Sequence, residues 1–182
     1  MKATGIVRRI DDLGRVVVPK EIRRTLRIRE GDPLEIFTDR EGEIILKKYS
    51  PIGELGQFAK QYADSLNQTT GNIIAISDKD QFIAAAGPTK KDLLLKGISR
   101  ELEELINERD SVLASSEDKN FIRITNDDDN EFTYQAISPI ISEGDAIGSV
   151  IILTKDSKIK FGDTEVKLAS TAASFLGKQM EQ

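Results

Sequence analysis

Arginine is concentrated at one end of this chain, where its chemistry suits anion binding. The first 29 residues contain nine basic and three acidic side chains, a net charge of +6, although the whole chain carries −5. Among the first fifty residues, eight of the twelve basic side chains are arginine. Guanidinium groups bind phosphate through paired hydrogen bonds and also recognise guanine edges. This excess of arginine favours a nucleic-acid-binding head on an acidic body over a merely solvated basic face.

The residue types that the chain lacks exclude most catalytic and metal chemistry. Histidine and cysteine are both absent. Zinc sites of the usual kinds, Ser-His and Cys-His nucleophiles and histidine-ligated haem are therefore ruled out. The acidic segment Asn126–Glu131 lacks the glycine and glutamate spacing of an EF-hand loop, so a solvated loop is expected there. We predict no enzyme activity, no metal site and no bound cofactor.

The first fifty residues are predicted to form two hairpins around one short helix. Polar turn residues separate short apolar segments, and Pro19 suits the start of a helix. The expected elements are strands at Gly5–Ile10 and Arg15–Val18 around the turn Asp11–Gly14, a helix from Lys20 to about Arg27, and strands at Leu34–Thr38 and Glu43–Lys47.

This small N-terminal domain, residues 1–50, is expected to be a dimer. It has one short helix and neither cysteine nor histidine to cross-link it. A domain of this size buries too little apolar surface to be stable alone. Exchange of hairpins between two chains would give a shared core.

The rest of the chain is predicted to be a helical linker, residues 51–70, and an α+β domain, residues 71–182. Strands joined by short turns imply an antiparallel sheet, with helices expected on one side of it. A helix is expected from Leu93 to Asn107, with an interruption near Gly97 after which Ser99 caps its second part. Asp163 is predicted to cap the final helix. Strands are expected at Ile73–Ser77, Phe82–Ala86, Ser111–Ser115, Phe121–Thr125, Phe132–Ile141 and Ala146–Thr154.

Two predicted helices, residues 52–66 and 163–180, carry apolar residues at heptad spacing. These positions could cover the domain's own sheet or form a subunit interface. A second apolar face on the final helix, which includes Phe175, favours the subunit interface. Together with the N-terminal dimer, this predicts a homotetramer. The heptad positions are Ile52, Leu55, Ala59, Tyr62 and Leu66 in the first helix, and Val166, Ala169, Ala173, Leu176 and Met180 in the last.

The segment Thr4–Leu26 closely resembles the AbrB-type transition-state regulators. It combines the Leu13-Gly14-Arg15 turn, a helix begun at Pro19 and paired arginines in one register, and the likeness continues from Asp32 to Tyr49. The resemblance implies a swapped-hairpin dimer that binds double-stranded DNA. It also implies which side chains contact the DNA, namely Arg8, Arg9, Arg15, Arg23 and Arg24.

The C-terminal domain resembles a GAF domain in the order of its strands and helices. GAF domains bind small ligands in some proteins and mediate assembly in others. Without cysteine, a thioether-linked chromophore is excluded. An unidentified small-molecule ligand is left open, and no residues are assigned to its site.

The family resemblance implies a transcription regulator of genes expressed during endospore development, which we expect in the cytoplasm at the nucleoid. The longest unbroken apolar run, Phe82–Ala86, is too short for a membrane span, so no membrane partner is expected. The alternative is an antitoxin, because the same N-terminal fold occurs in toxin–antitoxin pairs. An antitoxin usually ends in a disordered toxin-binding tail, whereas residues 72–180 have the pattern of a folded domain.

Overall fold

The computed structural model describes residues 6–50, 52, 56–127 and 132–181. The chain divides into two compact units, Met1–Tyr49 and Ser50–Gln182.

The described residues of the first unit, from residue 6 onward, form one helix and one hairpin of strands. Helix α1 spans Lys20–Thr25, and strands β1 (Leu34–Thr38) and β2 (Ile44–Lys48) pair antiparallel with Ile36 opposite Leu46. The predicted second hairpin is thus present, with its second strand shifted by one residue. The helix is shorter than expected, because Arg27 adopts a φ of +52° and ends the helical path.

The expected first hairpin has its turn but not its strands. Asp11 and Arg15 pair through Asp11 N–H and Arg15 C=O, at 3.0 Å. The flanking described residues, 6–10 and 15–18, form no strand, because no further ladder bonds join them. Their apolar side chains are exposed, with Val7 89% and Val17 70% accessible.

The second unit is built on a five-stranded antiparallel sheet in the order β4-β3-β7-β6-β5. All five of these strands coincide with predicted ones to within two residues at each end. The elements are α2 (Gly56–Thr70), β3 (Ile73–Ser77), β4 (Phe82–Ala86), α3 (Lys90–Leu93), α4 (Arg100–Glu108), β5 (Val112–Ser115), β6 (Tyr134–Ser142), β7 (Asp145–Thr154) and α5 (Asp163–Gln179).

Helices cover both faces of this sheet, so the expectation of helices on one side is wrong. Ile74 and Ile152 face α2 and α5, whereas Ile73 and Ile151 face α3 and α4. All five residues of β3 are buried. A strand that is covered on both faces has apolar residues at consecutive positions rather than at alternate ones. The sequences of β3 and of the end of β7 show this pattern.

The strand predicted at Phe121–Thr125 is also wrong, because side chains replace strand pairing there. The Gln135 side-chain amide lies against Ile122, and in the amide orientation that satisfies both groups its nitrogen donates to the Ile122 carbonyl at 3.0 Å and its oxygen accepts from the Ile122 N–H at 2.7 Å. Arg123 N–H donates to a Glu101 carboxylate oxygen at 2.7 Å. Only an isolated bridge, between Ile98 and Thr125, remains in this segment.

The two long helices belong to the core of the second unit. Helix α2, predicted as a linker, packs on the sheet through buried Ala59 and Ala63. Helix α5 begins at Asp163, one residue earlier than a cap at Asp163 requires. Its N-cap is Gly162, whose N–H donates to the Glu165 carboxylate at 2.8 Å. Ser99 does cap α4, since its hydroxyl accepts from Leu102 N–H at 3.0 Å.

Candidate nucleic-acid interface

Helix α1 is short, carries Arg23 and Arg24, and begins directly after Pro19. Pro19 precedes it with a φ of −57°, and Arg23 N–H bonds the Pro19 carbonyl at 3.0 Å. Proline fits this position because its fixed φ is close to helical and its missing N–H needs no partner. Arg24 is exposed and Arg23 half-buried. No residue of α1 is buried within the chain.

The segment after α1 is fastened to β2 by Asp32. Its Oδ2 accepts from Arg29 N–H at 2.8 Å and lies 3.1 Å from Lys48 Nζ. The same ammonium group donates to the Arg27 carbonyl at 3.0 Å. Burial acts to raise the pKa of Asp32, but the bonds from Arg29 and Lys48 outweigh it and lower that pKa. These bonds fix the end of α1 relative to the hairpin.

The loop between Asp11 and Arg15 is organised by one carboxylate. Asp11 Oδ1 accepts from the N–H groups of Leu13 and Arg15, at 3.0 and 2.8 Å. Its Oδ2 accepts from Arg15 Nε at 2.8 Å. The backbone bond from Arg15, followed by its side-chain bond, lowers the pKa of Asp11. Gly14 closes the turn at a φ of +75°, where side chains are strained.

Asp11 is a site residue that the sequence analysis missed. Aspartate at the first position of a turn commonly accepts N–H bonds from residues two to four further on, and that signal was present. Its ion pair with Arg15 holds one nitrogen of the guanidinium, which carries four further N–H donors. The carboxylate therefore orients Arg15.

The five predicted DNA-contact arginines occupy two elements of the first unit. Arg8 and Arg9 are exposed on the extended arm that leads into the turn, and Arg15 is exposed where the turn ends. The other two lie on α1. All five are accessible to solvent at least in part, as direct contact with a phosphate backbone requires.

The second unit has a different kind of surface. Phe175 of α5 stacks on Phe58 and Tyr62 of α2, with ring centroids 5.7 and 5.4 Å apart. Phe58 and Phe175 are 36% and 38% exposed. We call these three side chains the aromatic surface. Beside it, on α5, lies an open depression lined by Ser170, Thr171, Ser174, Phe175 and Lys178.

The heptad positions of the final helix do not form this surface. Ala169, Ala173 and Leu176 are at most 1% exposed and pack on the sheet of their own unit. They are therefore core residues rather than a subunit interface, which corrects the expectation. In the first helix, Ile52 and Ala59 are also buried, and Leu55 lies outside the described residues.

Neither a metal site nor a membrane span is found in the part of the chain that the structure describes. No group of three or more aspartate or glutamate side chains there is arranged to hold a metal ion. No helix among those residues combines the length and apolar character needed to cross a bilayer. Most of the acidic segment Asn126–Glu131 lies outside the described residues.

Comparison with known families identifies the chain. The model of the stage V sporulation protein T C-terminal family, a transcription factor, matches residues 54–181. The chain belongs to this family. A second model, MazE, the bacterial antitoxin of antidote-toxin recognition, matches residues 7–54. The predicted class, a sporulation transcription factor, is thereby confirmed.

Individual relatives agree with both halves of the sequence analysis. Stage V sporulation protein T of Bacillus subtilis (strain 168) is 57% identical over all 182 residues, 100% of both chains. Transition state regulatory protein AbrB of the same organism is 67% identical over 51 residues, 28% of this chain and 52% of AbrB. These matches confirm the AbrB-type N-terminal domain.

The fold of the second unit is shared with GAF domains. The GAF domain of an Acinetobacter phosphoenolpyruvate-protein phosphotransferase superposes with a TM-score of 0.56 at 10% identity, covering 69% of this chain and 81% of that one. At this identity the likeness concerns the fold alone. It confirms the predicted GAF-like domain.

Proposed function

We propose that the chain binds double-stranded DNA through Arg8, Arg9, Arg15, Arg23 and Arg24. The observation that carries the proposal is that all five arginines are at least partly exposed, on the arm, on the turn that Asp11 organises and on the helix whose end Asp32 fastens to β2. A fixed array of guanidinium groups binds phosphates and can recognise base edges. The acidic remainder of the chain is unsuited to this role, because it carries −11.

The DNA-binding form is a homodimer built from two N-terminal units. Apolar side chains exposed in one chain support this, among them Ile6, Ile10, Leu13, Ile36 and Ile44. Burial of such residues between two chains would supply the core that one unit lacks. Exchange of the hairpins, as the AbrB resemblance implies, would pair the arms 6–10 and 15–18 that form no strand alone.

The second unit serves assembly, and it leaves room for sensing of a small molecule that we do not identify. The aromatic surface supports a homotetramer, a dimer of dimers, through α2 and α5. Its stacked rings expose apolar area beside polar residues, as subunit interfaces do. We place the protein in the cytoplasm at the nucleoid, as a transcription factor requires, and assign it no enzymatic role.

An antitoxin role is the weaker alternative. The MazE match is confined to residues 7–54, and it reflects the N-terminal fold. The remaining residues form a sheet covered on both faces rather than an unfolded tail. The family match over residues 54–181 is to a transcription factor.

The DNA-binding proposal is tested by the salt dependence of binding. We expect Arg24→Ala to weaken binding to a duplex and to reduce the slope of log K against log salt by about 0.9 for each lost phosphate contact. Fluorescence anisotropy over a salt series measures both. Arg100→Ala is the matched control, because Arg100 is an exposed helical arginine of the second unit that pairs with Glu104. Equal losses in the two variants would contradict the proposal.

A further inference from the structure

Three hydrogen bonds join Arg15 to a single residue, Asp11. Asp11 N–H donates to the Arg15 carbonyl at 3.0 Å, and Arg15 N–H donates to Asp11 Oδ1 at 2.8 Å. Arg15 Nε donates to Asp11 Oδ2, also at 2.8 Å. The backbone of Arg15 and the inner nitrogen of its guanidinium group are therefore both fixed. Because the side chain is held at its two ends, it has few rotamers left.

The bond at Nε determines which part of the guanidinium group is available to a ligand. The group is planar and has five N–H donors, of which the one on Nε is directed to Asp11. The other four belong to the two terminal nitrogens, which form a fork at the end of the side chain. The Arg15 side chain is 69% exposed, so this fork is accessible from solvent.

The ion pair also reduces the net charge that Arg15 offers to a phosphate. The bonds from Arg15 lower the pKa of Asp11, so the carboxylate is ionised at neutral pH and the pair carries no net charge. Phosphate contacts depend on charge, whereas recognition of a base edge depends on the direction of hydrogen bonds. In the described part of the chain, no carboxylate pairs with the other four predicted contact arginines. Those four suit phosphates, and Arg15 suits a base.

We propose that Asp11 is a positioning residue that makes Arg15 the specificity-determining side chain of the first unit. The terminal fork of Arg15 donates two parallel hydrogen bonds to O6 and N7 of a guanine in the major groove. The other four arginines supply most of the affinity through phosphates. Because Arg15 is ordered before binding, its contact with the base costs less conformational entropy. This inference rests on the proposed DNA binding and adds the base that the site recognises.

The test compares a duplex that contains guanine with the same duplex containing 7-deazaguanine, which lacks the N7 acceptor but has the same phosphate charge. The duplex is selected from a random-sequence pool by the full-length wild-type protein, and fluorescence anisotropy gives the Kd of each form. We expect 7-deazaguanine to weaken wild-type binding by about fivefold or more. Arg15→Lys, which keeps the charge but loses the planar fork, should bind the two forms within about twofold of each other.

Asp11→Asn should lose the preference for guanine in the same way without weakening binding in general. Its amide oxygen can still accept the two backbone N–H bonds that Oδ1 accepts, but its amide nitrogen is a donor and cannot bond Arg15 Nε. We therefore expect it to bind the unselected pool at least as tightly as the wild type does. The matched control is Asp12→Asn, which removes the same charge from the adjacent exposed residue and should keep the preference.

Several results would overturn the proposal while leaving DNA binding intact. One is wild-type binding that 7-deazaguanine does not weaken, because Arg15 then contacts no guanine edge. Another is a preference that persists in Asp11→Asn or in Arg15→Lys, or that Asp12→Asn also abolishes. Weaker binding of Asp11→Asn to the unselected pool would show that Asp11 supports the whole unit rather than one side chain. Absence of binding to any duplex refutes the proposed function, and this inference with it.

Discussion

At the scale of single residues, Gly177 shows how closely α5 approaches the sheet. A Cβ atom at this position would lie 2.0 Å from the Ile141 carbonyl oxygen. Gly56 of α2 has no such neighbour within 4 Å. Both are helical glycines, so helix propensity alone favours alanine at each by up to about 1 kcal/mol. The backbone contact therefore decides the sign at Gly177.

We predict opposite effects for the same substitution at these two positions. Gly177→Ala should lower the free energy of unfolding by about 1–3 kcal/mol or more, because the helix must move off β6. Gly56→Ala should leave it unchanged or raise it by up to about 1 kcal/mol. Urea unfolding of the full-length variants measures both. If Gly177→Ala instead raised the free energy of unfolding, the backbone at Ile141 would have to move aside at little energetic cost.

The lowered pKa of Asp11 predicts that the loop carrying Arg15 loses its hydrogen bonds to this carboxylate at low pH. Its pKa is lowered by the Arg15 backbone and side-chain bonds, so the bonded form is the charged one. The stabilisation of the loop is then fully present above the ordinary value of about 3.8 and is lost as pH falls through the lowered pKa. NMR titration of the Leu13 and Arg15 amides should show a midpoint below 3.8, absent in Asp11→Asn. A midpoint at or above 3.8 would refute the bonding.

The identity of the basic side chains could be predicted from sequence, but not their local partners. The excess of arginine in residues 1–29 is a matter of composition. The pairing of Arg15 with Asp11 depends on the path of the turn, which Gly14 allows by its positive φ. The Asp32–Lys48 pair joins residues sixteen apart and required knowledge of the strand register.

At the scale of elements, α4 ends in a conformation that favours glycine. Arg109 follows the helix with a φ of +61°, is exposed, and donates its N–H to the Ile106 carbonyl at 3.1 Å. We predict that Arg109→Gly raises the free energy of unfolding by about 0.5–1 kcal/mol, because it removes left-handed strain. Arg109→Ala, which keeps the Cβ atom, should give no gain. Thermal unfolding distinguishes the two variants, and an equal effect would exclude backbone strain as the cause.

Most strands could be predicted from sequence because turns mark their ends. Ile73–Ser77 and Phe82–Ala86 have the predicted bounds, set by the polar residues between them. Phe121–Thr125 has the composition of a strand, yet Gln135 and Glu101 satisfy its backbone instead. Such bonds come from residues distant in sequence, and local pattern carries no trace of them.

At the scale of the whole molecule, the heptad spacing in α5 predicted which residues are buried but not which surface covers them. Periodicity identifies an apolar face without saying whether the sheet or another chain covers it. Here the sheet covers Ala173 and Leu176. A charge at either position would therefore unfold the second unit rather than divide an oligomer. The aromatic surface, which lies on the other side of α5, is the appropriate place to test assembly.

We predict that Phe175→Glu converts a tetramer into dimers without unfolding either unit. The side chain is partly exposed and its loss leaves the sheet contacts of α5 intact, whereas a charge between stacked rings opposes association. Sedimentation velocity measures the mass. Leu113→Glu is the control, since Leu113 is similarly exposed, at 37%, on the edge strand β5. If the wild type sediments as a dimer, α2 and α5 hold no interface.

The exposed apolar side chains of the arms 6–10 and 15–18 affect how much of the protein accumulates in the cell. If the first unit dimerises as proposed, a newly synthesised chain exposes Val7, Val17 and their apolar neighbours until it pairs with a second copy. Unpaired strands with exposed apolar side chains attract chaperones, proteases and other unpaired chains. Under the proposed dimer, solitary chains are removed while pairs survive. The concentration of dimer then rises more steeply than the rate of synthesis, because each dimer needs two surviving chains. Little dimer accumulates until synthesis exceeds a threshold rate.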